Sequence, residues 1–225
     1  METRRAPFAL LAGLCLSGFA QAALVDRGGG LIYDTDLNVT WLADANYART
    51  SGYADTLYGS GSDGRMTWSQ AEAWVAHLVY HDPVRNLDLK GWRLPTTLQP
   101  DPTCSVQSGG DSFGYHCAGS ELGHLFYKEL GGKTATPIGT THNGSFSLFS
   151  HAPNSLYWSG TEYAPDASQA WGFMFDSGSS LAGGKGSVVL TLIGVLTIGY
   201  LQKILSLNAA PEATRLMLTG AIIVC

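Results

Sequence analysis

The chain has 225 residues, enough for one large domain or two small ones. Hydrophobic residues make up 45% of it and charged residues only 14%, which excludes a disordered acidic chain and a coiled coil. The 28 glycines and 10 tyrosines are typical of a turn-rich secreted domain with an aromatic core. A net charge of −5 argues against nucleic-acid binding, which needs a basic face.

Residues 1–22 have the three parts of a signal peptide. Arg4 and Arg5 supply the positive start, residues 8–19 form a short apolar stretch, and residues 20–22 read Ala-Gln-Ala, a cleavage motif. The stretch is too short to span a bilayer, which takes about 20 apolar residues. The sequence therefore predicts export, to the periplasm, the outer surface or the medium.

Because exported proteins can form disulfides, the cysteines of the acidic body, residues 23–182, are candidates for one. Cys104 and Cys117 lie thirteen positions apart in a glycine-rich segment, and we expect a disulfide between them. Closing a loop of this length would stabilise the fold by about 3 kcal/mol on a chain-entropy model. The alternative is a metal-binding pair assisted by His116.

A β-hairpin is predicted near the start of the body. Residues 31–33 and 39–42 favour strands, and residues 34–38 read Asp-Thr-Asp-Leu-Asn, which is typical of a turn. The spacing also invites a calcium interpretation. It fails the EF-hand pattern because Val39 occupies the sixth position and Ala45 the twelfth, so we favour the turn.

Residues 50–64, rich in Gly, Ser and Tyr, indicate a flexible loop or an aromatic-studded surface. A capping box at residues 67–70 then begins a helix, which should end at residues 81–83. Its apolar stripe consists of Ala71, Trp74, Val75 and Leu78. His77 and His81 could share a metal ion one helical turn apart, but two solvated histidines are the favoured interpretation.

Residues 91–96, Gly-Trp-Arg-Leu-Pro-Thr, predict an extended strand, because Pro95 disfavours helix at the residue before it. Arg93 lies within this apolar stretch and needs a carboxylate partner if it is buried. Glu121 or Glu72 would supply it. We therefore expect a structural ion pair at Arg93 and not a catalytic role.

A second helix should begin at Ser120 and end at the glycines 131–132. Its apolar face consists of Leu122, Leu125, Phe126 and Leu130. Residues 156–159 and 171–175 predict two further strands. The order of hairpin, helix, strand, long loop, helix and strands indicates an α+β domain.

Five motifs in this order resemble the C-terminal domain family of collagen-like adhesins: DLNVTW at 36–41, MTWSQA at 66–71, GWRLPT at 91–96, EL at 121–122 and YWSGTE at 157–162. GWRLPT also resembles the wider formylglycine-generating, C-type-lectin-like superfamily. The resemblance implies a C-type-lectin-like domain with two helices, short twisted antiparallel sheets and long loops.

The resemblance also implies an exported binding module for a glycan or another cell-surface ligand. Gln99-Pro100-Asp101 is similar to a triplet with which lectins hold calcium and sugar hydroxyls, although a simple proline-rich turn is the favoured alternative there. The candidate ligand-binding residues are Gln99, Asp101, Trp158, Glu162 and Asp166. The sequence names no cofactor besides calcium.

An enzyme on the same scaffold is the alternative function. The formylglycine-generating enzymes use a reactive cysteine pair late in the domain, and this chain has no cysteine between Cys117 and Cys225. It also lacks a phosphate-binding loop. We therefore expect a binding protein without catalytic residues.

Residues 183–225 are apolar and resemble the last membrane segments of sugar-type ABC permeases. Residues 188–207 have about the length of a bilayer span. Three interpretations stay open: a membrane anchor, which we favour, a permease fragment fused to a truncated domain of no activity, or buried helices that complete the core. In the fused case, the missing closing strand would leave a sheet edge open.

Overall fold

The computed structural model describes residues 24–184. This part of the chain combines helices with short antiparallel sheets, as the α+β prediction requires. The signal peptide at residues 1–22 and the span at residues 188–207 lie outside the described residues. Within residues 24–184, no helix has both the length and the apolar character needed to cross a bilayer.

The first sheet contains the predicted hairpin and one additional strand, in the order β1–β2–β3. Its strands are β1 (Leu24–Asp26), β2 (Leu31–Asp34) and β3 (Val39–Leu42). Ile32 pairs with Trp41, and both side chains are buried. The hairpin turn forms because Asp34 Oδ1 accepts the backbone N–H groups of Asp36 and Leu37 at 3.1 and 3.0 Å.

Three helices follow: α1 (Tyr47–Thr50), α2 (Tyr53–Tyr58) and α3 (Trp68–His77). The capping box of α3 is confirmed, since Thr67 and Gln70 satisfy each other's backbone N–H groups. Because α2 lies within residues 50–64, that segment is partly helical, which the sequence did not predict.

Helix α3 ends at His77, four to six residues before the predicted end at residues 81–83. Leu78 is extended, with ψ of 126°, and the chain then enters a hairpin of β4 (Tyr80–Asp82) and β5 (Leu87–Leu89). The buried Asp82 side chain stabilises that turn by accepting the N–H groups of Val84 and Arg85. His77 and His81 therefore lie on different elements, and His81 contacts Asp88.

Residues 91–96 form no regular strand, but Trp92 and Leu94 are both buried as expected of an extended segment. The loop after them contains a small hairpin of β6 (Val106–Ser108) and β7 (Asp111–Phe113). The disulfide between Cys104 and Cys117 closes this loop, as predicted.

The second predicted helix begins as α4 (Glu121–His124) and continues as one π-helical turn, Leu125–Glu129. Leu130 N–H donates to Leu125 O at 2.9 Å, a bond five residues long. The four predicted apolar residues are buried. Gly131, with φ of +69°, ends the helix in the left-handed conformation. A short 3-10 helix follows at Gly144–Leu148.

The second three-stranded sheet has the order β10–β9–β8. Its strands are β8 (Leu156–Glu162), β9 (Gln169–Met174) and β10 (Ser179–Gly184). The sequence did not predict β10, which pairs with β9 along six residues. Ser180 also exchanges two backbone hydrogen bonds with Gly114, at 2.7 and 2.8 Å, so part of the outer edge of β10 is paired with the disulfide loop.

The core contains residues of α3, of the helix that begins with α4 and of the two three-stranded sheets, and it is largely aromatic. Two indoles connect β8 to the start of α3 and the residues just before it. Trp68 Nε1 donates to Ser159 O at 3.0 Å, and Trp158 Nε1 donates to Met66 O at 3.1 Å. The largest fully buried side chains include Trp41, Trp158, Tyr157, Phe126 and Phe173. Because both indole N–H groups have partners, the rings add apolar area to the core without an unsatisfied donor.

Candidate functional site

Gln99 and Asp101, two of the predicted ligand-binding residues, lie just before the disulfide loop and hydrogen-bond to Ser112 within it. The Gln99 side chain donates to Ser112 O and accepts from Ser112 N, both at 2.8 Å. Asp101 is fully buried and accepts from Thr103 and Gly119. Their polar atoms are thus used to hold the loop, in agreement with the favoured interpretation of a turn.

The other three predicted residues lie on or just after β8. Trp158 is 1% exposed, so its ring offers no face to a ligand and belongs to the core. Glu162 is exposed at the end of β8. Asp166 lies in the turn before β9, where its carboxylate accepts from Ser168 and Gln169.

An open pocket of about 380 Å³ lies beside α1, α2 and the end of α3. Its walls are aromatic and apolar, with hydroxyl groups and one imidazole among them. The lining residues are Tyr47, Ser51, Gly52, Tyr53, Thr56, Trp74, His77, Leu78 and Val79. None of these nine residues is Lys, Arg, Asp or Glu.

Tyr53 and Trp74 form a stacked pair in the pocket wall. Their ring centroids are 5.8 Å apart and their planes differ by 25°. Trp74 is buried and is held by the packing of α3, while Tyr53 is only partly buried. The pair therefore presents one supported aromatic ring, that of Tyr53, at the first residue of α2.

Polar groups with defined orientations surround this pair. Thr56 Oγ1 donates to Tyr53 O at 2.6 Å, which leaves its lone pairs to accept from a ligand. His77 Nδ1 lies 2.8 Å from Ala73 O, so the proton sits on Nδ1 and Nε2 is an acceptor in the neutral ring. Burial, followed by the charge of Asp44, raises the pKa of the Tyr47 hydroxyl, which keeps it a donor.

Two groups of side chains have the spacing of metal ligands. In the first, Asp101 approaches Cys104 and Cys117, but both sulfurs belong to the disulfide and are not thiolates. In the second, single ligand atoms of Asp34, His124 and Glu129 all lie within 4.8 Å of one another. The sequence predicted a turn at Asp34, with a calcium site as the less favoured alternative, and gave no sign of His124 or Glu129 as partners.

Comparisons with protein-family models, with curated proteins and with solved structures found no match for this chain. Function is therefore argued from geometry. Sequence reasoning missed Tyr53, although residues 50–64 stood out as an aromatic-studded surface. The prediction that Trp74 belongs to the core is confirmed. Its stacking partner Tyr53, which is partly exposed, was not predicted.

Proposed function

We propose that this protein is an exported binding module whose ligand is an uncharged carbohydrate, held in the pocket beside α1 and α2. The stacked Tyr53–Trp74 pair is the observation that carries this proposal. A sugar ring has an apolar face of C–H groups that rests on an aromatic ring, while its hydroxyls exchange hydrogen bonds with polar groups at the rim. Shallow, mostly apolar pockets with a few fixed polar groups suit such ligands.

The charge of the pocket supports an uncharged ligand. No Lys, Arg, Asp or Glu is among the nine residues that line it, so a sulfated or carboxylated glycan would lose its hydration shell without gaining an ion pair. The overall charge of −5 adds repulsion for a polyanion. Polyanionic glycans therefore fit this pocket less well than neutral sugars.

The disulfide supports an exported module, because such bonds persist in oxidising compartments. The two main helices, α3 and the helix that begins with α4, together with short antiparallel sheets and long connections, support a C-type-lectin-like scaffold. Both points extend the resemblance noted in the sequence and belong to the same proposal.

The full chain on an array of neutral and anionic glycans, read with and without calcium, tests the function. We expect selective retention of neutral glycans that calcium does not change, since the pocket lining contains no carboxylate. Titration of the retained sugar, followed by tryptophan fluorescence, then gives its dissociation constant.

Tyr53→Ala removes the supported ring, and we expect it to weaken sugar binding roughly tenfold or more. Tyr58→Ala is the matched control, because Tyr58 is 56% exposed on the same helix and does not line the pocket. It should leave the dissociation constant within about twofold. Equal loss in the two variants, retention of anionic glycans only, or no retained glycan would contradict the proposal.

A further inference from the structure

A cluster of acidic side chains around one imidazole joins the hairpin turn of the first sheet to the second helix. Its members are Asp34 at the end of β2, Asp36 in the turn, His124 at the end of α4 and Glu129 at the end of the π-helical turn. Asp34 and Glu129 are buried, with 0% and 3% exposure, and the His124 side chain is 15% exposed. The part of the cluster formed by Asp34, His124 and Glu129 is therefore interior, and Asp36 lies at its solvent side.

The spacing of its ligand atoms matches that of a metal coordination shell. His124 Nε2 lies 3.2 Å from Glu129 Oε1 and 3.8 Å from Asp36 Oδ2. Two ligand atoms that are each about 2.1 Å from a tetrahedral ion lie about 3.4 Å apart. One ligand atom from each of Asp34, His124 and Glu129 lies within 4.8 Å of the other two. An ion placed between them could contact all three.

The π-helical turn is what brings His124 and Glu129 together. Positions five apart on an α-helix point about 140° away from each other. The hydrogen bond from Leu130 N–H to Leu125 O adds one residue to the turn and returns position 129 to the face of position 124. Turns of this kind are rare and occur frequently at functional sites.

One buried atom of the cluster lacks a partner. Among the residues that the structure describes, nothing donates a hydrogen bond to Glu129 Oε2, although the atom is inaccessible to solvent. Such an atom costs free energy unless a proton, a water or an ion satisfies it.

We propose that Asp34, His124 and Glu129 bind one divalent first-row transition-metal ion, with the Asp36 carboxylate beside His124 adding negative charge. Three carboxylates facing one imidazole leave an excess of negative charge that a dication neutralises. The imidazole nitrogen favours zinc or a neighbouring transition metal over calcium and magnesium, which prefer an all-oxygen shell. Asp34 Oδ2 accepts the Trp41 indole N–H at 3.3 Å, and a carboxylate oxygen has a second lone pair for an ion.

The bound ion would cross-link the hairpin turn to the π-helical turn, and so would stabilise the folded chain. This site is separate from the proposed sugar pocket, since none of its residues lines that pocket. Loss of the metal and loss of sugar binding are therefore independent outcomes.

The test uses the full chain, stripped with a chelator and dialysed. We expect equilibrium dialysis to give one tightly bound Zn²⁺ per chain, with weaker Mn²⁺ and the weakest Ca²⁺ binding. The melting temperature should rise with the logarithm of the free zinc concentration above the dissociation constant.

Glu129→Gln keeps the volume of the side chain and removes its charge, so we expect roughly 100-fold weaker zinc binding and a melting temperature that zinc no longer raises. Asp36→Asn is the second variant, because Asp36 is 48% exposed and should tolerate the change; it should weaken binding roughly tenfold. His81→Asn is the control, since His81 also contacts a carboxylate, that of Asp88, at an exposed site. It should change neither measurement.

Absence of stoichiometric zinc binding to the stripped chain would overturn the proposal and leave the cluster as a proton-sharing structural group. Equal zinc affinity in the parent chain, Glu129→Gln and Asp36→Asn would also overturn it, as would calcium binding more tightly than zinc. If Glu129→Gln fails to fold, Asp36→Asn and His81→Asn decide the outcome.

Discussion

Arg93 and Glu121 face each other across 28 residues of sequence and form a bidentate ion pair. The two guanidinium nitrogens donate to the two carboxylate oxygens at 2.7 and 2.6 Å. Glu121 Oε2 also accepts the backbone N–H of Thr96 at 2.7 Å. The pair thus attaches residues 91–96 to the first turn of α4, where a carboxylate is favoured by the helix dipole.

Arg93→Met should lower the free energy of unfolding by about 1–3 kcal/mol, because it leaves the Glu121 carboxylate, whose side chain is 14% exposed, without its cation. Urea denaturation followed by circular dichroism measures the change. Arg65→Met is the control: the Arg65–Asp63 pair has 56% exposed side chains, and its loss should cost less than about 0.5 kcal/mol. Equal effects of the two substitutions would contradict the structural role of Arg93.

The disulfide should contribute about 3 kcal/mol to stability, since it closes a loop with a sequence separation of 13. Replacement of Cys104 and Cys117 together by alanine should lower the midpoint of urea denaturation accordingly. A reducing agent should lower the midpoint of the parent chain and not that of the double variant. An unchanged midpoint in the double variant would show that the network around Gln99 and Asp101 holds the loop alone.

Glu72 on α3 predicts a pH dependence of stability. Burial raises the pKa of its carboxyl group above the usual value. The folded state therefore holds this proton to higher pH than the unfolded chain, and stability falls as pH rises from about 4 through the folded-state pKa.

Glu72→Gln should remove that dependence. We expect the variant to be more stable than the parent at pH 7, by less than about 1 kcal/mol, and the difference to vanish below about pH 4. Thermal unfolding at several pH values measures both. A variant that is less stable than the parent at pH 7 would show that the carboxylate forms a stabilising contact.

Local signals in the sequence predicted the elements whose own residues decide their structure. Thr67 and Gln70 form the capping box of α3 as the motif requires, and Asp34 caps the hairpin turn with its own side chain. The ion pair of Arg93 was expected because a cation in an apolar stretch needs a carboxylate. These features depend on neighbours in sequence or on a single charge.

The elements that sequence reasoning missed depend on distant partners. Strand β10 contains three small residues and two serines among its six (Ser-Ser-Leu-Ala-Gly-Gly), a weak strand pattern, and it forms because β9 and Gly114 supply its hydrogen bonds. The π-helical turn likewise breaks the spacing on which a helical pattern is read. The pairing of β10 with Gly114 depends on the first of these elements, and the acidic cluster around His124 depends on the second.

The two indole bonds that connect β8 to the start of α3 and the residues just before it bear on how fast the chain folds. They join residues 91 and 92 positions apart, and the bridge between Asp44 and Ser150 spans an even longer stretch. Closing such loops early is entropically costly, so a topology with these connections reaches its native state slowly compared with a helical bundle. During synthesis, the chain must extend past β8 before Trp68 or Trp158 can form its hydrogen bond.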